Sequence, residues 1–248
     1  MGQELEKIRD IIRDSENIVL IGGSEMMREA GLNGTRAEHM TYEVEEKYGY
    51  SPEEILTSMF LSRQTKTFYN YMKEVMLNKV DVEPPDSFKA AAELEKSGKM
   101  TAIVTRMIYS LFKKAGCENV VELYGSAESN YCPAFGKKFT SKYIKEAKDI
   151  PSCDSCGVPI RPGFSLFGEM LDNGKLTKAV NAIEGANVLL VAGTSINSMT
   201  WANTLRYYSG DKLILINTEA KDGDEKANYR AYGNISEIFR YIADYKEA

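Results

Sequence analysis

The sequence predicts an α/β protein built around a doubly wound parallel sheet. Short apolar runs recur along its 248 residues, helical patterns separate these runs, and the first run enters a glycine turn. Continuous apolar runs of this length are typical of parallel strands that are buried on both faces. The predicted strands lie at residues 18–21, 102–105, 120–123, 188–192 and 213–217.

Helices are predicted where apolar residues recur on one helical face. Leu5, Ile8 and Ile12 form such a stripe ahead of the first strand, and residues 235–242 form a closing amphipathic helix. Residues 87–96 are rich in alanine, which favours a helix before the second strand.

A Met- and Tyr-rich helical region is expected between the first two strands, at about residues 42–78. Pro52 is placed to begin one of its helices, and Ser62 or Thr65 could cap another. Pro84-Pro85 then breaks the chain before the next helix.

A Lys-rich, apolar-poor segment that contains cysteines interrupts the rhythm of strands and helices, so we interpret it as a small inserted module. In this organisation a Rossmann-like large domain comprises residues 1–36, 81–126 and 166–248. Residues 37–80 form a helical insert, and residues 127–165 form the small module.

Composition excludes several classes of function. The net charge of −5 provides no basic stripe for a nucleic acid backbone. No run of about 18 apolar residues could span a bilayer, and the amino terminus lacks the layout of a signal peptide. We therefore expect a cytoplasmic protein in which the four cysteines are thiols or metal ligands and not disulfides.

The most informative motif is Glu122-Leu123-Tyr124-Gly125-Ser126, which ends a predicted strand at the sheet edge where open α/β sheets carry their chemistry. Together with segments before and after it, this motif resembles the sirtuins, the NAD-dependent protein lysine deacylases. The other matching segments are residues 102–105, 111–116, 160–162, 166–169, 191–195 and 215–217.

The resemblance implies that Tyr124 stands where sirtuins have the histidine that serves as general base. A base needs a pKa near the working pH, which an imidazole at about 6.5 provides and a phenol at about 10 does not. We therefore expect Tyr124 to be a poor base, or only a wall residue that closes the strand end. The single histidine, His39, is expected in a solvated polar loop and not as a relocated base.

The resemblance also implies a set of residues that bind NAD, or ADP-ribose, at the carboxyl ends of the strands. The predicted cofactor-binding residues are Gly22, Gly23, Arg36, Gly193, Thr194, Ser195 and Asn217. These residues could instead serve only in turns and caps. Glu25 is expected close enough to repel the pyrophosphate, and Thr35 replaces a phenylalanine that screens the ribose from water in sirtuins.

The nicotinamide pocket of sirtuins uses an asparagine and an aspartate to bind the carboxamide. In the resembling segment of this chain, Met107 and Tyr109 stand at those positions, and Arg106 adds a cation beside them. Because neither side chain reproduces the paired amide and carboxylate contacts, productive nicotinamide binding should be weakened.

The resemblance implies a zinc-ribbon-like module that is degenerate, with Cys132, Cys153 and Cys156 as metal ligands and Phe135 where a fourth cysteine belongs. Structural zinc ordinarily has four protein donors, so a water molecule or Asp154 would have to complete the shell. The alternative is a metal-free module packed around Phe135. Cys117 is expected to be a buried thiol outside the site.

These observations predict a sirtuin-family protein with weak or lost deacylase activity that retains binding of NAD or ADP-ribose and of an acyl-lysine peptide or protein. Two alternatives stay open. One is an NAD-consuming enzyme with altered chemistry, such as an ADP-ribosyltransferase or an NAD hydrolase. The other is a non-catalytic interaction protein.

Overall fold

The computed structural model describes residues 2–32 and 38–246, except for the side chains of residues 38–40 and 200. In these residues the main sheet has six strands, and every neighbouring pair is parallel. The strands of the chain are β1 Ile18–Gly22, β2 Met100–Thr105, β3 Val120–Glu122, β4 Asn130–Tyr131, β5 Lys138–Phe139, β6 Val188–Ala192, β7 Leu213–Asn217 and β8 Tyr229–Tyr232.

The helices pack on both faces of the sheet and form the insertions between strands. The α-helices are α1 Gln3–Arg13, α2 Glu38–Tyr48, α3 Pro52–Ile55, α4 Ser58–Arg63, α5 Thr65–Tyr71, α6 Asp86–Lys96, α7 Leu111–Lys114, α8 Ser141–Glu146, α9 Asn173–Gly185, α10 Met199–Leu205 and α11 Ile235–Ile242. Segments Ser24–Ala30, Leu77–Lys79 and Asp224–Lys226 are 3₁₀ helices, and Met72–Met76 is a π-helical turn.

The strand order β3-β2-β1-β6-β7-β8 confirms the predicted doubly wound parallel sheet. All five residues of β1 and of β6 are buried, as expected for central strands with helices on both faces. One face carries α1, α6 and α11, for example through Phe88 and Phe239, and the opposite face carries α9 and α10 through Ile183 and Trp201. The direction of winding reverses between β1 and β6, which is where proteins of this fold bind ligands.

Most predicted elements are present, but two helix starts and one strand differ from expectation. Helix α4 is capped by Thr57, whose hydroxyl accepts a hydrogen bond from the Phe60 amide, so the predicted caps Ser62 and Thr65 are wrong. The predicted loop around His39 is a helix, because His39 lies in the first turn of α2. Strand β8 was not predicted, since its sequence lacks an apolar run.

The small antiparallel pair β4–β5 and helix α8 follow β3, and helices α2 to α5 lie between β1 and β2. This order agrees with the predicted sequence of segments, while the domain boundaries themselves stay a prediction. Among the helices described, none combines the length and apolar character that crossing a membrane requires.

The loops that leave β1 and β6 touch each other directly at the reversal point. A Cβ atom built on Gly23 would lie 2.4 Å from the Gly193 carbonyl oxygen and 2.4 Å from Cβ of Thr194. The Gly23 amide donates to the Ala192 carbonyl at 2.8 Å, and the Glu25 amide donates to the Gly193 carbonyl at 3.0 Å. Only glycine therefore fits position 23.

This contact predicts that Gly23→Ala destabilises the protein by about 1–3 kcal/mol, because the new methyl group overlaps a backbone carbonyl. Urea unfolding followed by circular dichroism measures the change in free energy. Gly185→Ala is the matched control, since a Cβ atom at this exposed helical position meets nothing within 4 Å. A Gly23→Ala protein as stable as the Gly185→Ala protein would contradict the predicted clash.

Candidate functional site

The loop after β6 is fixed by hydrogen bonds to a buried side chain, that of Asn217 at the end of β7. The Asn217 side chain is fully buried, and its Oδ1 atom accepts a hydrogen bond from the Thr194 amide at 3.0 Å. Its Nδ2 atom donates to the Thr194 carbonyl at 3.2 Å. The Ser195 hydroxyl accepts from the Asn197 amide at 3.2 Å. The side chain of Asn217 thus supports the loop, and a contact between Asn217 and a ribose stays a prediction.

The Glu25 carboxylate is paired with groups that follow β7. It is buried, with side-chain exposure of 6%, and it forms an ion pair with Lys221. The Thr218 hydroxyl donates to the same carboxylate at 3.0 Å. The expected repulsion is therefore wrong, because the negative charge is neutralised by a partner beyond β7. Burial lowers the pKa of Lys221, and the nearby Asp224 partly opposes this shift.

A cavity of about 530 Å³ opens at the carboxyl ends of β1, β2 and β3. It contains three of the predicted site residues, Gly22, Gly23 and Tyr124, and excludes Gly193, Thr194, Ser195 and Asn217 from its lining. The lining residues are Gly22, Gly23, Ser24, Met27, Leu56, Arg106, Met107, Ile108, Tyr109, Tyr124, Phe164, Ser165, Leu166, Phe167, Gly168, Glu169 and Leu171. Arg36, the remaining predicted cofactor residue, and Thr35 lie outside the described residues.

Part of the cavity wall is apolar. Met107 and Tyr109 are both buried, and burial raises the pKa of the Tyr109 phenol well above its usual range. The Phe112 ring fills the space beside Gly22, where a Cβ atom would lie 2.5 Å from the ring. The Thr105 hydroxyl donates to the Gly22 carbonyl at 2.9 Å and so fixes the wall to β1. This wall provides few groups that could pair with an amide.

Tyr124 lies at the mouth of the cavity, half-buried, directly after Glu122 and Leu123 at the end of β3. Its carbonyl accepts a hydrogen bond from the Ser165 amide at 2.8 Å. Arg106 also lines the cavity, and its guanidinium carbon lies 5.0 Å from the centre of the Trp201 ring. The cavity therefore combines a phenol and a guanidinium with an apolar inner wall.

The small module joins the sheet through glycines in close backbone contact. Gly125 has φ of +77°, and a Cβ atom there would lie 2.2 Å from the Gly163 carbonyl oxygen. A Cβ atom on Gly163 would lie 1.7 Å from the Ser129 carbonyl oxygen. Ser126 adds a hydrogen bond from its amide to the Gly163 carbonyl at 3.0 Å. Both glycines are therefore required by space, and Gly125 also by backbone conformation.

Glu169 connects three parts of the chain around the cavity. Its carboxylate accepts hydrogen bonds from the Ser58 hydroxyl on α4 and from the Arg161 guanidinium beside the small module. It also accepts from the Leu166 amide at 2.8 Å. Partial burial tends to raise the pKa of Glu169, but the donors at Ser58, Leu166 and Arg161 outweigh it and hold the pKa below its usual range.

The three predicted metal ligands come together in the small module. The Sγ atoms of Cys132, Cys153 and Cys156 all lie within 4.8 Å of one another, and those of Cys132 and Cys156 are 3.6 Å apart. Zinc–thiolate bonds of about 2.3 Å place tetrahedral sulfur ligands about 3.8 Å apart, so these three thiols fit a zinc ion. Cys117 is a buried thiol elsewhere, and burial raises its pKa to about 12.

Two expectations for this module are wrong. Phe135 is 71% exposed and so is not the centre of an apolar core, which is formed instead by buried residues such as Phe139, Ile144 and Ile160. Asp154 lies outside the group of three thiols. The Cys153 thiol donates to its Oδ1 atom at 3.9 Å, but the carboxylate pairs with the Lys137 ammonium at 2.5 and 2.6 Å.

The sequence did not indicate two residues that contact the cavity lining without being part of it. Phe112 and Trp201 were not singled out, yet one fills the space beside Gly22 and the other supports Arg106. Trp201 is the only tryptophan of the chain and follows soon after the Gly193 turn, which is a signal that could have identified it. No comparable signal marks Phe112.

Comparison with known proteins agrees with this architecture. A profile described as the Sir2 family matches residues 23–200. The NAD-dependent protein deacetylase of Clostridium tetani is 35% identical over 240 residues, which cover 96% of this chain and 97% of that protein. The NAD-dependent protein deacetylase of Clostridium acetobutylicum is also 35% identical, over 96% of this chain and 98% of that protein.

Solved structures resemble this chain over nearly its whole length. A Sir2 homologue in complex with NAD has a TM-score of 0.83 at 26% identity and covers 96% of this chain and 92% of its own. A Sir2 mutant in which a histidine is replaced by tyrosine, described with a p53 peptide and NAD, has a TM-score of 0.81 at 26% identity. This match covers 98% of each chain.

The parallel sheet, the cavity at its carboxyl edge and the three-cysteine cluster define a Rossmann-like protein with a small module whose thiols could hold a metal ion. The profile match and the identity to the clostridial deacetylases show that the chain belongs to the Sir2 family, the sirtuins.

The cofactor of this family is NAD, and a Sir2 homologue is described in complex with it. Gly22, Gly23 and Ser24 present a turn with little side chain to the cavity, which suits the approach of a phosphate or ribose. Met107 and Tyr109 form an apolar part of the same lining.

The position of Glu169 predicts a pH-dependent contribution to stability. Its pKa in the folded protein lies below the unfolded value of about 4.3. The contribution is therefore complete above that value and is lost as the pH falls through the folded-state pKa. Glu169→Gln should lower the free energy of unfolding by about 1 kcal/mol at pH 7, a modest amount because the partners are partly exposed.

Urea unfolding at a series of pH values between 7 and about 3 tests this expectation, because the difference from the wild-type protein should shrink toward the acid end. Glu184→Gln, at an exposed position of α9, serves as the control and should change stability little. A constant difference across the series would show that the charge of Glu169 is not what stabilises the fold.

Proposed function

We propose that this sirtuin binds an acyl-lysine peptide and the ADP-ribose half of NAD but has weak or lost deacylase activity. The observation that carries the proposal is the side-chain composition of the cavity, which is lined by Tyr124, Met107 and Tyr109. The first stands at the position of the catalytic base by sequence resemblance, and the other two at the positions of the groups that bind the carboxamide.

The apolar wall weakens the reactive arrangement of the cofactor. In sirtuin chemistry the nicotinamide is held in a buried pocket while its bond to the ribose breaks. A thioether at Met107 is only a weak acceptor, and the phenol of Tyr109 does not replace a carboxylate. Loss of a hydrogen bond to a buried polar group typically costs about 1–3 kcal/mol, so two such losses disfavour this arrangement strongly.

A replacement for the missing base is not evident among the residues that line the cavity. Tyr124 carries a phenol, which is a much poorer proton acceptor near neutral pH than an imidazole. Glu169 is the carboxylate of the lining, and its hydrogen bonds to Ser58 and Arg161 hold it in a structural role. General base catalysis typically contributes about 10²- to 10⁴-fold to a rate, so its loss alone reduces turnover greatly.

Retained binding is the second part of the proposal. The Sir2 mutant with tyrosine in place of a histidine is described with both a p53 peptide and NAD, which supports binding of both ligands by a protein that has this tyrosine. In this chain the Phe167 amide donates to the Leu56 carbonyl at 2.8 Å, so the segment after the small module already forms an extended wall of the cavity. Such a backbone edge suits a peptide strand.

Nicotinamide release from NAD in the presence of an acetyl-lysine peptide tests the proposal directly. We expect a rate at least about 100-fold below that of the Clostridium tetani deacetylase under the same conditions, since base catalysis contributes at least this much. Mass spectrometry of the products distinguishes deacylation from ADP-ribosyl transfer and from hydrolysis of NAD. Release at the rate of the clostridial enzyme would refute the proposal.

The same assay measures the effect of restoring a histidine at position 124. Tyr124→His alone should raise nicotinamide release by less than about tenfold, because the carboxamide contacts are still absent. The triple variant Tyr124→His, Met107→Asn, Tyr109→Asp should be faster than the single variant. Circular dichroism confirms that each variant folds. Full recovery by Tyr124→His alone would show that the apolar wall does not limit the reaction.

Ligand-induced stabilisation tests the unequal fit of the cofactor. ADP-ribose and NAD should raise the melting temperature by similar amounts, because the nicotinamide half adds little binding free energy. A ligand at about 100 times its dissociation constant adds about 2.7 kcal/mol of stability, which a thermal shift assay resolves. Nicotinamide alone should give no shift. A much larger shift with NAD than with ADP-ribose would contradict this expectation.

A further inference from the structure

The small module contains two turns with the same backbone geometry, one after β4 and one in the second half of the module. In the first, the Gly136 amide donates to the Cys132 carbonyl at 2.8 Å, and in the second, the Gly157 amide donates to the Cys153 carbonyl at 2.8 Å. Both glycines have positive φ, of +68° and +73°. The backbone positions of Cys132 and Cys153 are therefore equivalent, and so are the positions three residues after each.

The equivalence of the turns identifies the donor that is missing. The first residues of the turns, Cys132 and Cys153, are both buried, with exposures of 0% and 3%. The fourth residues are Phe135 and Cys156, and both are exposed. Phe135 thus occupies the position that corresponds to Cys156, and the vertex without a sulfur lies on the solvent side of the cluster.

We propose that the metal ion held by Cys132, Cys153 and Cys156 keeps one coordination position open to solvent, and that this position takes a single donor atom from a small thiol or imidazole. The three sulfur atoms supply three vertices of a tetrahedron with the spacing of a zinc site. A thiol that has given its proton to solvent, or a neutral imidazole nitrogen, would supply the fourth donor in place of water.

The described residues offer no fourth side-chain donor within the cluster. Asp154, the neighbouring carboxylate, accepts from the Cys153 thiol at 3.9 Å. The same carboxylate is paired with Lys137, and the Ser155 hydroxyl also donates to it at 3.0 Å, so it is directed to these two partners and not into the group of three thiols. Zinc sites with four protein donors are closed, whereas sites with three protein donors exchange their fourth ligand. Phe135 stands where sirtuins have a fourth cysteine, and this difference leaves a site that can bind an external ligand in place of a closed structural site. This inference does not depend on the level of deacylase activity.

Cobalt(II) substitution of the full chain under reducing conditions tests the inference, because the visible absorption of Co²⁺ reports its donor set. We expect one Co²⁺ per chain and a spectrum that changes saturably on titration with glutathione or with imidazole. Phe135→Cys should show no such change. It should also bind the metal at least about tenfold more tightly, since loss of even an outer-shell partner costs about 10- to 100-fold.

Phe135→Ala is the matched control, because it removes the ring without adding a donor and should keep the response to both ligands. Cys156→Ser should lose stoichiometric binding, while Cys117→Ser, outside the cluster, should keep it. Three outcomes overturn the inference: no stoichiometric metal in the wild type, a spectrum that neither ligand changes, or a spectrum that depends on protein concentration. The last would mean that a second copy of the chain supplies the fourth donor.

Discussion

The direct contact between the backbone turns after β1 and β6 is the constraint from which the rest of the site follows. Gly23 and Gly193 meet where the winding of the sheet reverses, and hydrogen bonds from the Gly23 and Glu25 amides hold the two turns together. The Asn217 side chain fixes the loop after β6 to β7. Because the turns are packed against each other, the open space at the carboxyl edge lies on the side of β2 and β3. The cavity therefore forms around Tyr124 and not around the loop after β6.

The fold could be predicted because its determinants are local. Continuous apolar runs such as residues 188–192 are buried on both faces wherever they occur, so their strands are evident in the sequence. Strand β8 lies at the sheet edge and exposes alternate residues, such as Arg230 and Tyr232, so it lacks this signal. The cap of α4 is Thr57, whereas Ser62 lies inside α4 and Thr65 is the first residue of α5, one position after its N-cap Gln64. The right side-chain chemistry therefore did not indicate the exact helix start.

The site could be predicted only in part, because several of its interactions join distant segments. Sequence resemblance identified Tyr124, Met107 and Tyr109, which do line one cavity. It did not indicate the orientation of Glu25, whose partner Lys221 lies 196 positions further along the chain. The three cysteines were identified from the resemblance to sirtuins, but the exposure of Phe135 depends on the geometry of two turns and not on local hydrophobicity.

The glycine junction between the sheet and the small module has a consequence for protein engineering. Gly125 and Gly163 approach backbone oxygens so closely that neither tolerates a side chain. Gly125 packs against the backbone of Gly163, and Gly163 packs against the backbone of Ser129. A chimaera that exchanges the cysteine module between sirtuins must therefore transfer residues 125–129 and residue 163 together. A crossover point placed between these segments would combine two backbones that do not fit.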